Sequence, residues 1–280
     1  MAVRIVTDSA CDLPDDLVDQ HGIQVVPLSI RFGSEEFVDR FELNTEDFYA
    51  KLATSGTLPE TAAPSPGAFE EAFRKVGGAG DPVLCINLSS QLSATMASAQ
   101  NAAKAVTGDV DVRVLDSVSI TGGQGTQVLR AAEAAEAGAS LAEVASLVED
   151  LASRTRLFGA LDTLENLKKG GRVGGARAMV GSMLSIKPIL DLSSGHVEEA
   201  GKQRTRKKAL VWLRDKLFEQ DDIENLVVCH GNAPDVDQLI ELISPRYGPD
   251  QFRISVIGPT IGTHGGPRVL GLAWTLPGRT

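Results

Sequence analysis

Cysteine is scarce: Cys11, Cys85 and Cys229 are the only three in 280 residues, far apart and with no CxxC pair. That argues against a disulfide framework and a thiolate zinc site, and fits a reducing compartment. Four histidines without HExxH-type spacing give no reason to expect a metal, and no cofactor is implied. Long apolar runs are missing as well. Nothing approaches the ~20 residues of a membrane helix, and Met1 to Val6 lead straight into a strand without the apolar stretch of a signal peptide. The expectation is a cytoplasmic protein with no integral membrane segment. Positive charge is in deficit, 27 Lys and Arg against 37 Asp and Glu, for a net charge of −10. Nucleic-acid binding, which needs cations to meet phosphates, is disfavoured. An anionic ligand would need a local site, because the field of the whole molecule repels it.

What is present is an ordinary folding composition, 42% hydrophobic, in a chain long enough for one large or two modest α/β domains. Strand and helix patterns alternate from residue 1 to about 155. Residues 3–7 read as an apolar strand of the parallel-sheet kind, ending in polar residues where open α/β sheets bind ligands. Asp12 reads as the cap of a helix opening at Leu13-Pro14. Residues 23–32 read as one strand. Asn44 or Thr45, Ser65 and Ser140 read as helix caps. Residues 57–67 carry three prolines and read as rigid and extended, leaving the Thr61 hydroxyl without capping duty. The second half mixes hairpins (185–192 with 196–200) and further strands at 157–161, 225–230 and 252–257. The apolar run 176–184 reads as cavity lining. The fold class that follows is α/β: a largely parallel-sheet N-terminal domain, 1–155, and an α+β C-terminal domain, 156–280.

Three stretches carry usable polar groups. In residues 82–106 a buried strand feeds an Ala-rich helix, and Ser89, Ser90, Ser93 and Thr95 crowd the junction. One hydroxyl suffices to cap a helix; four point to a helix end that also receives a carboxylate or phosphate. Lys168, Lys169 and Arg172 close a short helix. They read equally as a C-terminal cap set and as a patch that docks an acidic partner or a phosphate. His264 lies among glycines, a setting that lets backbone approach a ligand and that also suits a structural loop histidine. Gly122, Gly123 and Gly125 lack GxGxxG spacing, and close helix packing accounts for them. Arg204, Arg206, Lys207 and Lys208 oppose the dipole of the helix they open, so another role is expected of them. Two catalytic alternatives stay open. One is an acyl hydrolase built on Ser93 and His264, although a GxSxG elbow is missing. The other is a phosphotransferase domain with His264 as acceptor.

In order and spacing these motifs resemble the DegV family of fatty-acid-binding proteins, carrier subunits of bacterial fatty acid kinase. The resemblance covers nearly the whole chain: residues 7–14 (TDSACDLP), 58–66, 88–95, 115–117, 164–174 (LENLKKGGRVG), 187–190 and 262–267. It implies two α/β domains with a long-chain fatty acid buried in a tunnel between them. It implies a carrier rather than an enzyme, with the ligand carboxylate held by Thr61, Ser93 and His264. Their neighbours Ser89, Ser90, Thr95 and Gly265 are the expected secondary contacts. A separate ATP-dependent kinase subunit would phosphorylate the presented carboxylate to an acyl phosphate, docking near Lys168, Lys169 and Arg172. The chain departs from the family pattern where Ala94 replaces Gly in Ser-Gly-Thr, where Ala62 and Ala63 replace Ser and Gln in Thr-Ser-Gln-Pro-Ser, and where Arg268 replaces the Gly after Gly-Pro. The hydroxyls and the histidine survive.

Overall fold

The computed structural model describes residues 2–78, 80–178 and 186–278. Strand β1 (Arg4–Asp8) is buried from Ile5 onward and ends in a 3-10 turn at Ser9–Cys11. Helix α1 (Asp15–Gln20) leads to β2 (Gln24–Val26) and the hairpin of β3 (Ser29–Phe32) and β4 (Glu35–Val38). The single strand expected over 23–32 is therefore two, because Pro27 has no N–H to give a ladder. Asn44 caps α2 (Thr45–Thr54), β5 (Glu60–Ala62) pairs with β3, and Ser65 caps α3 (Pro66–Gly77). Then follow β6 (Val83–Asn87), α4 (Thr95–Ala105), β7 (Val112–Asp116), α5 (Thr121–Glu136) and α6 (Leu141–Arg154). A capping box of Ser140 and Glu143 opens α6.

Strands β2-β1-β6-β7, in that order, make a parallel sheet. One core joins β1 and β6 to α5 and α6; a second lies under α3 and α4. The glycines that open α5 serve packing, as expected. A Cβ on Gly125 would lie 2.5 Å from the Cys11 carbonyl, and one on Gly122 2.6 Å from Cys229 Sγ.

The second half runs β8 (Thr155–Ala160), α7 (Glu165–Lys169), β9 (Lys187–Asp191), β10 (Glu198–Gln203) and α8 (Arg206–Phe218). It continues through β11 (Glu224–His230), α9 (Val236–Ile243), β12 (Phe252–Val256), α10 (Pro259–Gly265) and β13 (Leu270–Thr275). Its sheet is mixed, in the order β10-β9-β8-β13-β11-β12, with β11 and β12 its parallel pair. Helices α8 and α9 cover one face in a core containing Trp274 and Phe158. The other face turns toward the first half. The α/β architecture read from the sequence, with a parallel sheet and a mixed one, is the one observed.

Three local readings are corrected. Asp12 does not cap α1: it is itself left-handed (φ 49°), and its carboxylate accepts the Gly258 N–H at 3.0 Å. The stretch around His264 is a helix rather than a loop, opened by Pro259 at a position where a missing N–H costs nothing. Strand β13, which no motif announced, lies in the middle of the mixed sheet with all six residues buried. Of the cations at the start of α8, Arg206 serves something else: it pairs with Asp235 at 2.8 Å and donates to the Arg268 carbonyl, while Arg204, Lys207 and Lys208 are exposed. Residues 179–184 of the run read as cavity lining lie outside the described residues.

Candidate functional site

Between the inner face of the mixed sheet and the loops of the first half lies a partly open cavity of about 840 Å3. Its walls are apolar. Leu157, Leu190 and Leu192 come from the mixed sheet and its turn, and Leu88, Leu92 and Ile120 from the first half. Thr61, Ser93, Arg172 and His264 line it too, as do Thr121 and Thr260.

His264 sits in the last turn of α10. Its Nε2 and the Thr61 Oγ1 share a hydrogen bond of 2.9 Å. Its Nδ1 is buried without a partner and faces Gly170, where a Cβ would lie 2.4 Å away. Gly170 thus makes room for the ring. Burial, and after it the charge of Arg172, push the His264 pKa down to about 4, so the ring is neutral at neutral pH. Arg172 lies in the cavity wall. Its Nε donates to the Leu92 carbonyl at 3.1 Å and its Nη1 to Gly170 at 2.7 Å, which ties the loop of Ser93 to the loop beside His264. Lys168 and Lys169 instead stand exposed on α7. The basic cluster of the sequence is split between wall and surface.

Ser93 reaches the cavity, but the four hydroxyls do not act as one set. Ser93 Oγ is 2.9 Å from Thr95 Oγ1 and accepts the Thr95 N–H, and α4 begins only at Thr95, with no side-chain cap. Ser89 Oγ donates to the Gly195 carbonyl at 2.7 Å. Ser90 is exposed. Ser89, Ser90 and Thr95 stand outside the lining. Gly265 lines the cavity.

The polar end of β1 also has a different duty from the one expected. Asp8 is fully buried and accepts four bonds, from Leu88 N, Asn87 Nδ2, Gln124 Nε2 and Ala10 N. It fixes the turn that leads to Ser93. Helix α10 is anchored by the first half in the same way. Asp12 takes the Gly258 N–H, Asp39 accepts from Ser9 Oγ and Thr260 Oγ1, and the Tyr49 hydroxyl donates to the Ile257 carbonyl at 3.1 Å. Asp39 and Tyr49 went unnoticed in the sequence, because an isolated acid or tyrosine gives no sign of the partner it will meet 200 residues away.

Chemically, this is a neutral imidazole, a guanidinium and the hydroxyl residues Thr61, Ser93, Thr121 and Thr260 lining an apolar cavity, a set that can orient an anionic head group. It lacks the geometry of a hydrolase: His264 bonds Thr61 rather than Ser93, and no carboxylate orients its free nitrogen. Among the described residues there is no cluster of His, Cys, Asp and Glu that could hold a metal, and no helix long and apolar enough to cross a membrane. Ala62, Ala94 and Arg268, three of the departures from the family pattern, are exposed and do not line the cavity. Arg268 has φ 63°, a left-handed conformation that glycine adopts without strain.

Fold and site define an α/β protein that encloses an apolar cavity with a small polar set in its wall. The chain belongs to the DegV family: the family model, described as an uncharacterised protein of the DegV family, matches residues 2–276. A DegV domain-containing protein of Listeria innocua is 36% identical over 279 residues, covering 98% of each chain. The solved structure of a DegV family protein from Thermus thermophilus, described by its fatty acid binding, matches with a TM-score of 0.91. It is 33% identical, over 99% of this chain and 100% of that one. DegV of Bacillus subtilis, described as a fatty acid binding protein, gives 0.89 at 32% identity with the same coverage.

Proposed function

We propose that this chain is a cytoplasmic carrier that binds a long-chain fatty acid in the cavity, with the carboxylate at Thr61, Ser93 and His264. The carrying observation is the bonded Thr61–His264 pair in the wall of an otherwise apolar cavity. The fatty acid binding described for the Thermus and Bacillus relatives supports it. The two domains, 1–155 and 156–280, would enclose the ligand. A chain of about sixteen carbons gains up to roughly 11 kcal/mol on burial, at about 0.8 per methylene. Hydrogen bonds to a charged group add about 1.5–3 kcal/mol each. The tail then supplies most of the affinity and the polar residues fix the orientation.

In the same reading a separate ATP-dependent kinase subunit docks beside Lys168, Lys169 and Arg172. A carboxylate oxygen attacks the γ-phosphorus, the bond to the ADP oxygen breaks, and an acyl phosphate forms. The Thr61–His264 pair would orient the head group while the kinase supplies the nucleotide.

The first test is to denature the purified protein, extract it with organic solvent and weigh the extract by mass spectrometry. A stoichiometric fatty acid is expected. An empty extract, with no uptake of added fatty acids, would overturn the carrier reading. Given a bound acid, His264→Ala and Ser93→Ala are expected to weaken binding about tenfold and to impair phosphoryl transfer more. Parent-like behaviour in both variants would remove these residues from the head-group site.

A further inference from the structure

The floor of the cavity has a dip that the fold does not require. In the ladder register, Leu190 of β9 stands opposite Gly159 of β8, Gly159 opposite Gly271 of β13, and Gly271 opposite Cys229 of β11. All four line the cavity. This row runs straight across four strands, and its two central members have no side chain. The next row, with Leu157 of β8 opposite Ala273 of β13, is filled in the ordinary way.

The two glycines differ in why they are glycine. A Cβ on Gly271 would lie 2.7 Å from the Phe158 carbonyl oxygen, so the sheet itself excludes a side chain there. Among the described residues, a Cβ on Gly159 would meet nothing nearer than Leu161 Cδ1 at 3.8 Å, and its φ lies outside the left-handed region. Neither crowding nor backbone conformation calls for glycine at 159. Glycine inside a strand sacrifices stability relative to alanine, and commonly marks a site where a ligand or another backbone comes close. Among the described residues the nearest backbone atom to that space is the Leu270 carbonyl oxygen, at an ordinary contact distance of 4.0 Å, and the cavity lies beyond. The row lies one strand step, about 7 Å, beyond Val269, which packs against Gly265 next to His264.

We propose that Gly159 is a specificity-determining residue: it keeps a trough open across the mixed sheet through which a long unbranched acyl chain passes from the head-group residues to the deeper wall. This rests on the fatty-acid reading of the cavity and adds to it the place where the chain is measured. Acids short enough to end before the trough would not sense residue 159. Longer acids must cross it.

The test uses the full chain after removal of bound lipid, a series of straight-chain saturated acids from eight to eighteen carbons titrated calorimetrically, and the variants Gly159→Ala and Gly159→Leu. Alanine is expected to raise the melting temperature of the lipid-free protein by about 1–2 °C while weakening the longest acids about fourfold. Leucine is expected to abolish binding of the long acids and spare the shortest. Long acids bound by both variants as by the parent would overturn the proposal. So would an alanine variant less stable than the parent, since the glycine would then be structural. Should Gly159→Leu fail to fold, the alanine variant decides alone. A parent that binds no acid of any length overturns the fatty-acid reading itself, and is distinguished by failing before any substitution is made.

Discussion

Burial and the nearby Arg172 make the imidazolium form of His264 unfavourable, so the ring enters neutral solution as a hydrogen-bonding group rather than a charge. Its folded pKa, about 4, lies below the ordinary 6.5. The stability tied to the neutral ring is therefore complete above pH 6.5 and is lost as pH falls toward 4. In NMR titrations the His264 ring proton is expected to hold its shift from pH 8 to 6 and to move only near 4. Fatty-acid affinity should show no step attributable to His264 between pH 8 and 6. A ring titrating near 6.5 would place it in a wetter setting. The sequence signalled this residue through the glycines around it, but not its neutrality, which depends first on its burial in the fold and then on Arg172, 92 residues earlier in the chain.

At the scale of elements, α10 decides the site, and its glycines have separate duties. A Cβ on Gly262 would lie 2.7 Å from both Phe48 Cε1 and the Tyr49 hydroxyl, whereas one on Gly265 would meet Val269 at an ordinary 3.4 Å. Gly262 lets the helix press onto α2; the glycine beside the histidine is the one that lines the cavity. Gly262→Ala is expected to cost about 1–3 kcal/mol by overpacking, read as a lower urea midpoint with unchanged slope. Gly265→Ala should cost clearly less. Equal losses would mean that helix α10 does not rest on Phe48 and Tyr49 as described. Helix caps such as Asn44, Ser65 and Ser140 were legible because each cap bonds the backbone three residues on. The intended cap at Asp12 failed because Gly258, almost the whole chain away, offered its carboxylate a buried N–H instead.

Across the whole molecule, the two halves meet on buried acids. Asp12 is nearly inaccessible, and one of its oxygens has no hydrogen-bond partner. Burial raises its pKa to about 8, against the Thr121 hydroxyl, the Gly258 N–H and Arg40, with Asp39 adding to the rise. A raised pKa means that its contribution to stability is full below about pH 4 and is lost as pH climbs toward 8. Asp12→Asn keeps an oxygen for Gly258 and removes the titration. The stability of the parent relative to this variant is expected to fall between pH 5 and pH 8, measured as urea midpoints at each pH. A constant difference would show that Asp12 ionises at an ordinary pH.

The sequence by itself determined what is local or periodic. Apolar runs gave the buried parallel strands, hydroxyl and amide caps gave the helix starts, and the ordered motifs gave the family. It also marked Thr61, Ser93 and His264, through the Pro-, Ser- and Gly-rich stretches that carry them. Tertiary structure decided the rest, since the remaining choices depend on partners far apart in the chain. Pairing across the mixed sheet, including β13, aligned Gly159 with Gly271. Desolvation set the charge state of His264. Competition for buried N–H groups took Asp12 away from the start of α1 and gave both Asp8 and Asp12 to the turns that hold the site in place.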